Sequence, residues 1–201
     1  AAATAAKQTP LQVLASAGRI RSTQDYHLIV FLLEHFPVGT EFPVLDVAPF
    51  THNLPLANVN AFSIDDATTT EIDDAFSVTT LPGGNIQVGI HIAAPALGIA
   101  LGDAADRIAR QRLSTIYMPG NKITMLPDAV IEQFTLSEGR TAPTLSLYLT
   151  FAGNDYTLIE SQTRLESVLI KHNLRHDQLD EHFTEANING GVGDYPYKQE
   201  L

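Results

Sequence analysis

The chain has no cysteine. Disulfides, thiolate zinc sites and cysteine nucleophiles are thereby excluded, and the composition suits a reducing compartment, so a cytoplasmic location is expected. Basic residues are scarce: 12 Lys and Arg stand against 23 Asp and Glu, giving a formal net charge of −11 and a pI near 4.9. A freestanding nucleic-acid clamp shows a basic face, which this composition argues against. It leaves room for a metal-dependent enzyme acting on nucleic acid, where the ion supplies positive charge at the reacting phosphate. No apolar run reaches the roughly 18 residues of a membrane span, and no secretory signal pattern is present, so no membrane partner is expected. The sequence opens on Ala1, and Ala1 to Lys7 carry little information, as in a chain processed, tagged or cut from something longer.

What is present is enough for a core. With 201 residues and 44% hydrophobic content, one domain or one domain with an appended piece is expected. Thr9-Pro10 starts a helix over Leu11 to Ala17 that Gly18 ends. Ser22 to Asp25 caps a second, whose dense apolar residues (Leu28, Ile29, Phe31, Leu32, Leu33) predict a largely buried helix to His35. Pro43, Pro49 and Pro55 make Glu41 to Leu56 an extended linker. Phe76 to Thr80 and Ile86 to Ile92 form a hairpin around Leu81-Pro-Gly-Gly-Asn85, with Ile86, Val88, Ile90 and Ile92 as the core face. Asp103 caps a helix from Ala104 to about Leu113, with Arg107, Arg110 and Arg112 outward as a solvated face. Ser114 to Pro127 is a loop, followed by a short helix to Phe134. Thr144 to Ala152 (Leu145, Leu147, Leu149, Phe151) and Tyr156 to about Leu169 are strands, Asp177 to Phe183 is helical, and Asn187 to Leu201 does not close a core. The order gives an α+β fold with a mostly antiparallel or mixed sheet and packed helices.

One stretch stands out. From Ala61 to Val78 the chain places Asp65, Asp66, Glu71, Asp73 and Asp74 between apolar residues, with no basic residue among them. Carboxylates held beside buried strands repel one another unless a cation sits between them. Oxygen donors without His or Cys favour Mg2+ or Mn2+, and several carboxylates together suit two-ion phosphodiester hydrolysis. Read alone, the stretch also fits an acidic surface turn between strands.

The wording of the stretch, Ile64-Asp-Asp-Ala-Thr-Thr-Thr-Glu-Ile-Asp-Asp-Ala75, resembles the signature of the ribonuclease II (RNB) exoribonuclease family, in which Ile-Asp and a spacer precede Asp-x-Asp-Asp-Ala. Val88-Gly-Ile-His-Ile-Ala93, Ser114-Thr-Ile-Tyr-Met-Pro-Gly120 and Met125-Leu-Pro127 resemble later motifs of that family, in the family's order. The resemblance runs from about Asp25 to about Asp180. It implies a helical lead-in and linker over 1–57 and the first half of an RNB catalytic domain over 58–201. It further implies hydrolysis of single-stranded RNA from the 3′ end, with release of nucleoside 5′-monophosphates. Asp65, Asp73 and Asp74 match three signature aspartates, as Mg2+ (or Mn2+) ligands and catalytic residues, with Asp73 most directly tied to the chemical step. Glu71 holds the fourth position, as a further ion ligand and catalytic residue, with one methylene more. Tyr117 matches a tyrosine that stacks near the RNA 3′ end. Two departures are expected to matter: Ala94 stands where the family continues with Asp, and the family's second half, which holds the RNA phosphates, has no counterpart in the sequence. An inactive, RNB-fold RNA-binding or regulatory protein is the alternative reading, and a metal-stabilised structural domain a third.

Overall fold

The computed structural model describes residues 9–45, 47, 49–51, 53–185, 187 and 197–201. The lead-in over 1–7, His52 and most of the Gly- and Asn-rich stretch over 187–201 lie outside them. The chain divides into two compact units, Ala1–Val44 and Leu45–Leu201.

The first unit carries α1 (Pro10–Ser16) and α2 (Thr23–His35). Thr9 and Gln12 form a reciprocal capping box on α1, and the Ser22 hydroxyl accepts the Asp25 N–H at the start of α2. The helix positions agree with expectation, but the burial does not. No residue of α2 is buried, and Leu33 is 71% exposed. Two helices this short offer too little surface to enclose one that is apolar on every side.

In the second unit the described linker residues carry no regular element before Leu56, which bridges in parallel to Ser167. Then follow β1 (Ala61–Asp65), β2 (Asp74–Thr80), β3 (Ile86–Ala93), a 3-10 turn (Pro95–Gly98), α3 (Ala104–Arg112), β4 (Ile116–Met118), β5 (Asn121–Ile123), α4 (Asp128–Phe134), β6 (Thr141–Phe151), β7 (Leu158–Arg175) and α5 (His176–Asp180). Strands β1-β2-β3-β6-β7 close into a barrel in which only the β1/β7 pair is parallel. The α+β class with a mixed, mostly antiparallel sheet is therefore what the chain adopts.

The barrel inverts one expectation. Along β3 the buried residues are Gly89 and His91, while Ile92 is 45% exposed; along β6 Thr144, Ser146 and Tyr148 are buried, while Leu145 is 50% exposed. Alternation was read correctly, but the face towards the barrel axis is the polar one. A five-stranded barrel is too narrow for rows of branched side chains, so its interior takes glycine, hydroxyls and one imidazole, and the Ile/Leu rows turn outward. The purely apolar clusters lie elsewhere. Ala61, Ile72, Ala75, Leu136, Ala142, Val168 and Ile170 form one, and Leu126, Val130 and Phe134 another.

Three further details differ from the sequence reading. The stretch Ser114–Pro127 contains the β4/β5 hairpin, closed at Pro119-Gly120 with Gly120 at φ +72°. Strand β7 runs to Arg175, past the expected end at about Leu169, and α5 opens at His176. Tyr197, in the C-terminal stretch, stacks on Phe62 at 4.0 Å between centroids and packs against a buried cluster.

Candidate active site

The acidic residues meet at one end of the barrel because β1 and β2 are antiparallel. With Phe62 opposite Phe76, β1 stops at Asp65 where β2 starts at Asp74. Thr69 N–H donates to Asp66 O (3.0 Å), and the Arg175 guanidinium donates to the same carbonyl (2.9 Å), folding the spacer back over the strand ends. Strand geometry does not govern Glu71 to Asp73, which precede β2; tertiary hydrogen bonds do. The Thr135 hydroxyl accepts from Ile72 N–H (2.9 Å), Leu136 N–H donates to Ile72 O (2.9 Å) and Ala93 N–H to Asp73 O (2.8 Å). Ile72 is buried between them. Its neighbours on either side, Glu71 and Asp73, line a cleft of about 460 Å³ with Thr115, Tyr117, Ala93 and Phe134.

Each carboxylate has its own surroundings. Asp65 accepts from Ser63 Oγ at 2.5 Å, and Asn173 Nδ2 donates to that hydroxyl at 2.8 Å, so the side chain is fixed in place. Asp74 is exposed. Partial burial pushes the Asp73 carboxyl up from its ordinary range, and the charges of Glu71, Asp74 and Asp65 push it further, with Lys122 opposing weakly. Glu71 is buried, at 8% exposure, and already engaged. Its Oε2 accepts from Thr115 Oγ1 (3.2 Å) and Tyr117 OH (3.3 Å), and its Oε1 lies 3.7 Å from Lys122 Nζ with no hydrogen-bond donor. The Tyr117 phenol is held above its usual range by burial and then by the Glu71 charge, although the residue is 65% exposed at the cleft mouth.

The donor set is all oxygen and strongly anionic, which suits a hard divalent cation. Among the described residues no group of three or more His, Asp or Glu side chains stands close enough together to enclose an ion. The fit is therefore one of charge and donor type: Glu71, Asp74 and Asp65 all act on the Asp73 carboxyl, while the Glu71 carboxylate is also turned to the β4/β5 hairpin.

Sequence reasoning missed Thr115, Lys122 and Thr135, the residues that hold Glu71 and Ile72. A signal for one was there: between Arg21 and Arg107 the sequence has no Lys or Arg, and Lys122 alone breaks the stretch from Arg112 to Arg140. The three arginines of α3 serve their own neighbourhood. Arg107 donates to Gly102 O, Arg110 pairs with Asp106 at 2.9 Å, and Arg112 donates to Thr124 O at 2.6 Å. Ala94, standing in place of the family's Asp, donates its N–H to Pro143 O (3.2 Å) and caps the 3-10 turn.

Residues 54–191 match the RNB domain family. Ribonuclease R of Chlamydia trachomatis is 29% identical over 187 residues, covering 86% of this chain and 26% of the relative. The chain thus spans about a quarter of that relative's length. Among solved structures, yeast Ssd1, a pseudonuclease, superposes with a TM-score of 0.62 at 21% identity, covering 69% of this chain and 18% of that one. Mycoplasma genitalium ribonuclease R in complex with ribose-methylated single-stranded RNA gives 0.59 at 19% identity, covering 70% and 21%.

Proposed function

The chain belongs to the RNB family, and on that premise we propose that it forms part of the catalytic unit of a metal-dependent 3′-to-5′ exoribonuclease that acts on single-stranded RNA and releases nucleoside 5′-monophosphates. The observation that carries this reading is Asp73: a carboxylate on a cleft, raised by burial and by three neighbouring carboxylates, beside an exposed aromatic ring. Asp65, Asp73 and Asp74 would hold Mg2+, or Mn2+ in its place. When bound, the ion supplies charge stabilisation at the phosphate oxygens and a more acidic water. Asp73, on the cleft beside the Tyr117 ring, would orient the attacking water and accept its proton. The Tyr117 ring offers its face to the terminal base without regard to sequence. The remaining part of such a unit, in a longer parent protein or another chain, would bring the phosphate-holding cations that this acidic surface lacks.

A second reading is favoured by the engagement of Glu71 and by Ala94: an RNB-fold protein that binds RNA without cleaving it; yeast Ssd1, which superposes on this chain, is a pseudonuclease. Nucleotide release from 3′-labelled single-stranded RNA in Mg2+ by the intact parent protein, compared with its Asp73→Asn variant, separates the two. Release that Asp73→Asn abolishes while RNA is still bound supports the nuclease. Binding with no release by the intact parent supports the second reading.

A further inference from the structure

Glu71 is where this chain departs from the family signature, and its surroundings are unlike those of an ion ligand awaiting its ion. Four contacts define it. Two hydroxyls from the β4 segment, Thr115 and Tyr117, point at Oε2. The ammonium of Lys122, on β5 directly opposite Tyr117, stands 3.7 Å from Oε1 and is also 3.1 Å from Thr70 Oγ1. The backbone on the other side is fixed by Ile72, whose N–H and C=O are both taken by the end of α4. The extra methylene of Glu over Asp lets the carboxylate reach across to the hairpin while its backbone stays beside Asp73.

The hairpin needs such a tether. It has only three residues per strand, and a two-stranded hairpin is marginal by itself. Tyr117 is 65% exposed, so packing does not fix its ring; its hydroxyl bond to Glu71 does. The ring lies between two clefts, the acidic one and a second of about 430 Å³ lined by Asp66, Thr68, Thr70, Asn121 and Lys122.

We propose that Glu71 is a positioning residue and not an ion ligand. With Lys122 as its counter-charge, it ties the β4/β5 hairpin to the acidic segment and so fixes the Tyr117 ring at the mouth of the cleft. Lys122 then offsets the negative charge of Glu71. The part of this proposal that concerns RNA rests on the exonuclease reading above; the tether itself does not.

Glu71→Asp tests it with opposite expectations, because it restores the family residue while withdrawing the carboxylate from the hydroxyls. Of the only two methionines, Met118 ends β4 and Met125 follows β5, so methyl-labelled methionine reports on the hairpin without RNA or metal. As a tether, Glu71→Asp shifts and narrows both methyl signals at unchanged far-UV circular dichroism. It weakens single-stranded RNA binding in EDTA by about tenfold, as expected for one displaced stacking ring. Mn2+ affinity, read by electron paramagnetic resonance, stays that of the unaltered chain. Tyr117→Phe, which keeps the ring and removes its tether, gives a smaller loss of RNA affinity. The proposal is overturned if Glu71→Asp binds Mn2+ markedly tighter, or if both methyl signals stay in place. Methyl and Mn2+ results as expected, with no nucleotide released in Mg2+ by an intact parent protein that binds single-stranded RNA, would leave the tether standing and remove the exonuclease reading.

Discussion

The barrel interior buries His91 and Glu166 and the acidic barrel end buries Glu71, and the two regions treat their titratable side chains in opposite ways. Inside, His91 has zero exposure, and both ring nitrogens are partnered, Nε2 with Ser77 Oγ at 2.9 Å and Nδ1 with Ser146 Oγ at 2.8 Å. Tyr148 OH donates to Glu166 Oε1 at 2.7 Å in the same way. At the end, Glu71 Oε1 has no hydrogen-bond donor, and Asp73 is repelled by three carboxylates. Burial and polarity alone do not separate the two regions. Satisfaction does: the barrel groups complete one another, while the acidic end keeps one carboxylate oxygen without a hydrogen-bond donor and one carboxylate beside three others.

The largest test of that contrast is one substitution with two readouts. In the active unit, Asp73→Asn is expected to lower the rate of nucleotide release by on the order of 10²–10⁴-fold, the range of a lost general base. In the ion-free protein it is expected to raise the melting temperature, because a repelled charge disappears. His91→Leu inside the barrel should lower it, since two buried hydroxyls lose their partner. Equal signs for the two substitutions in a calorimeter would erase the distinction.

The sequence made one side of this contrast legible and hid the other. Asp65, Asp73 and Asp74 could be found because their spacing is local and their chemistry is written in residue type. The roles of Thr115, Lys122 and Thr135 depend on contacts across 44, 51 and 63 positions of chain, which no local pattern carries. The fold was legible to the same degree. Turns at Gly83-Gly84 and the β3 and β6 alternation gave the strands, but alternation gives two faces without saying which is inside. Barrel closure decides that, and closure follows from the β1/β7 pairing between the two ends of the sheet. The α2 prediction failed for a related reason: apolar residues declare a need for a partner and do not provide one.

The next test is pH. Burial lowers the His91 imidazole from 6.5 to about 4, with the Glu166 charge working weakly against it. A group whose folded pKa is depressed resists protonation in the native state, so its stabilisation is intact above pH 6.5 and is lost as pH falls towards 4. The loss amounts to about 3 kcal/mol, from the two values and 1.36 kcal/mol per unit. Melting temperature against pH should fall over that window and flatten in His91→Gln. Gly89→Ala acts on the same group through packing. An added Cβ would collide with Ser77 Oγ and lie 2.8 Å from His91 Nε2, forcing the hydrogen-bonded pair apart at about 1–3 kcal/mol. A chemical-denaturation midpoint as high as the parent's would mean that the interior is looser than its hydrogen bonds imply.

The smallest expected effect sharpens the contrast most. Arg110 and Asp106 form an ion pair one turn apart on α3, closer than Lys122 and Glu71, at 2.9 Å against 3.7 Å. By distance alone it should matter more. Yet the Arg110 side chain is 65% exposed and the Glu71 side chain 6%, so water and salt screen the first pair and reach the second poorly. Arg110→Ala should therefore leave both the melting temperature and the methionine methyl spectrum where they were, in low salt and high. Lys122→Leu should move the methyl signals of Met118 and Met125, because it strips the counter-charge from a carboxylate that has no other cation near it among the described residues. If the two substitutions proved interchangeable, exposure would not be what decides the worth of a charge in this protein, and the β4/β5 hairpin would be held by its hydroxyls alone.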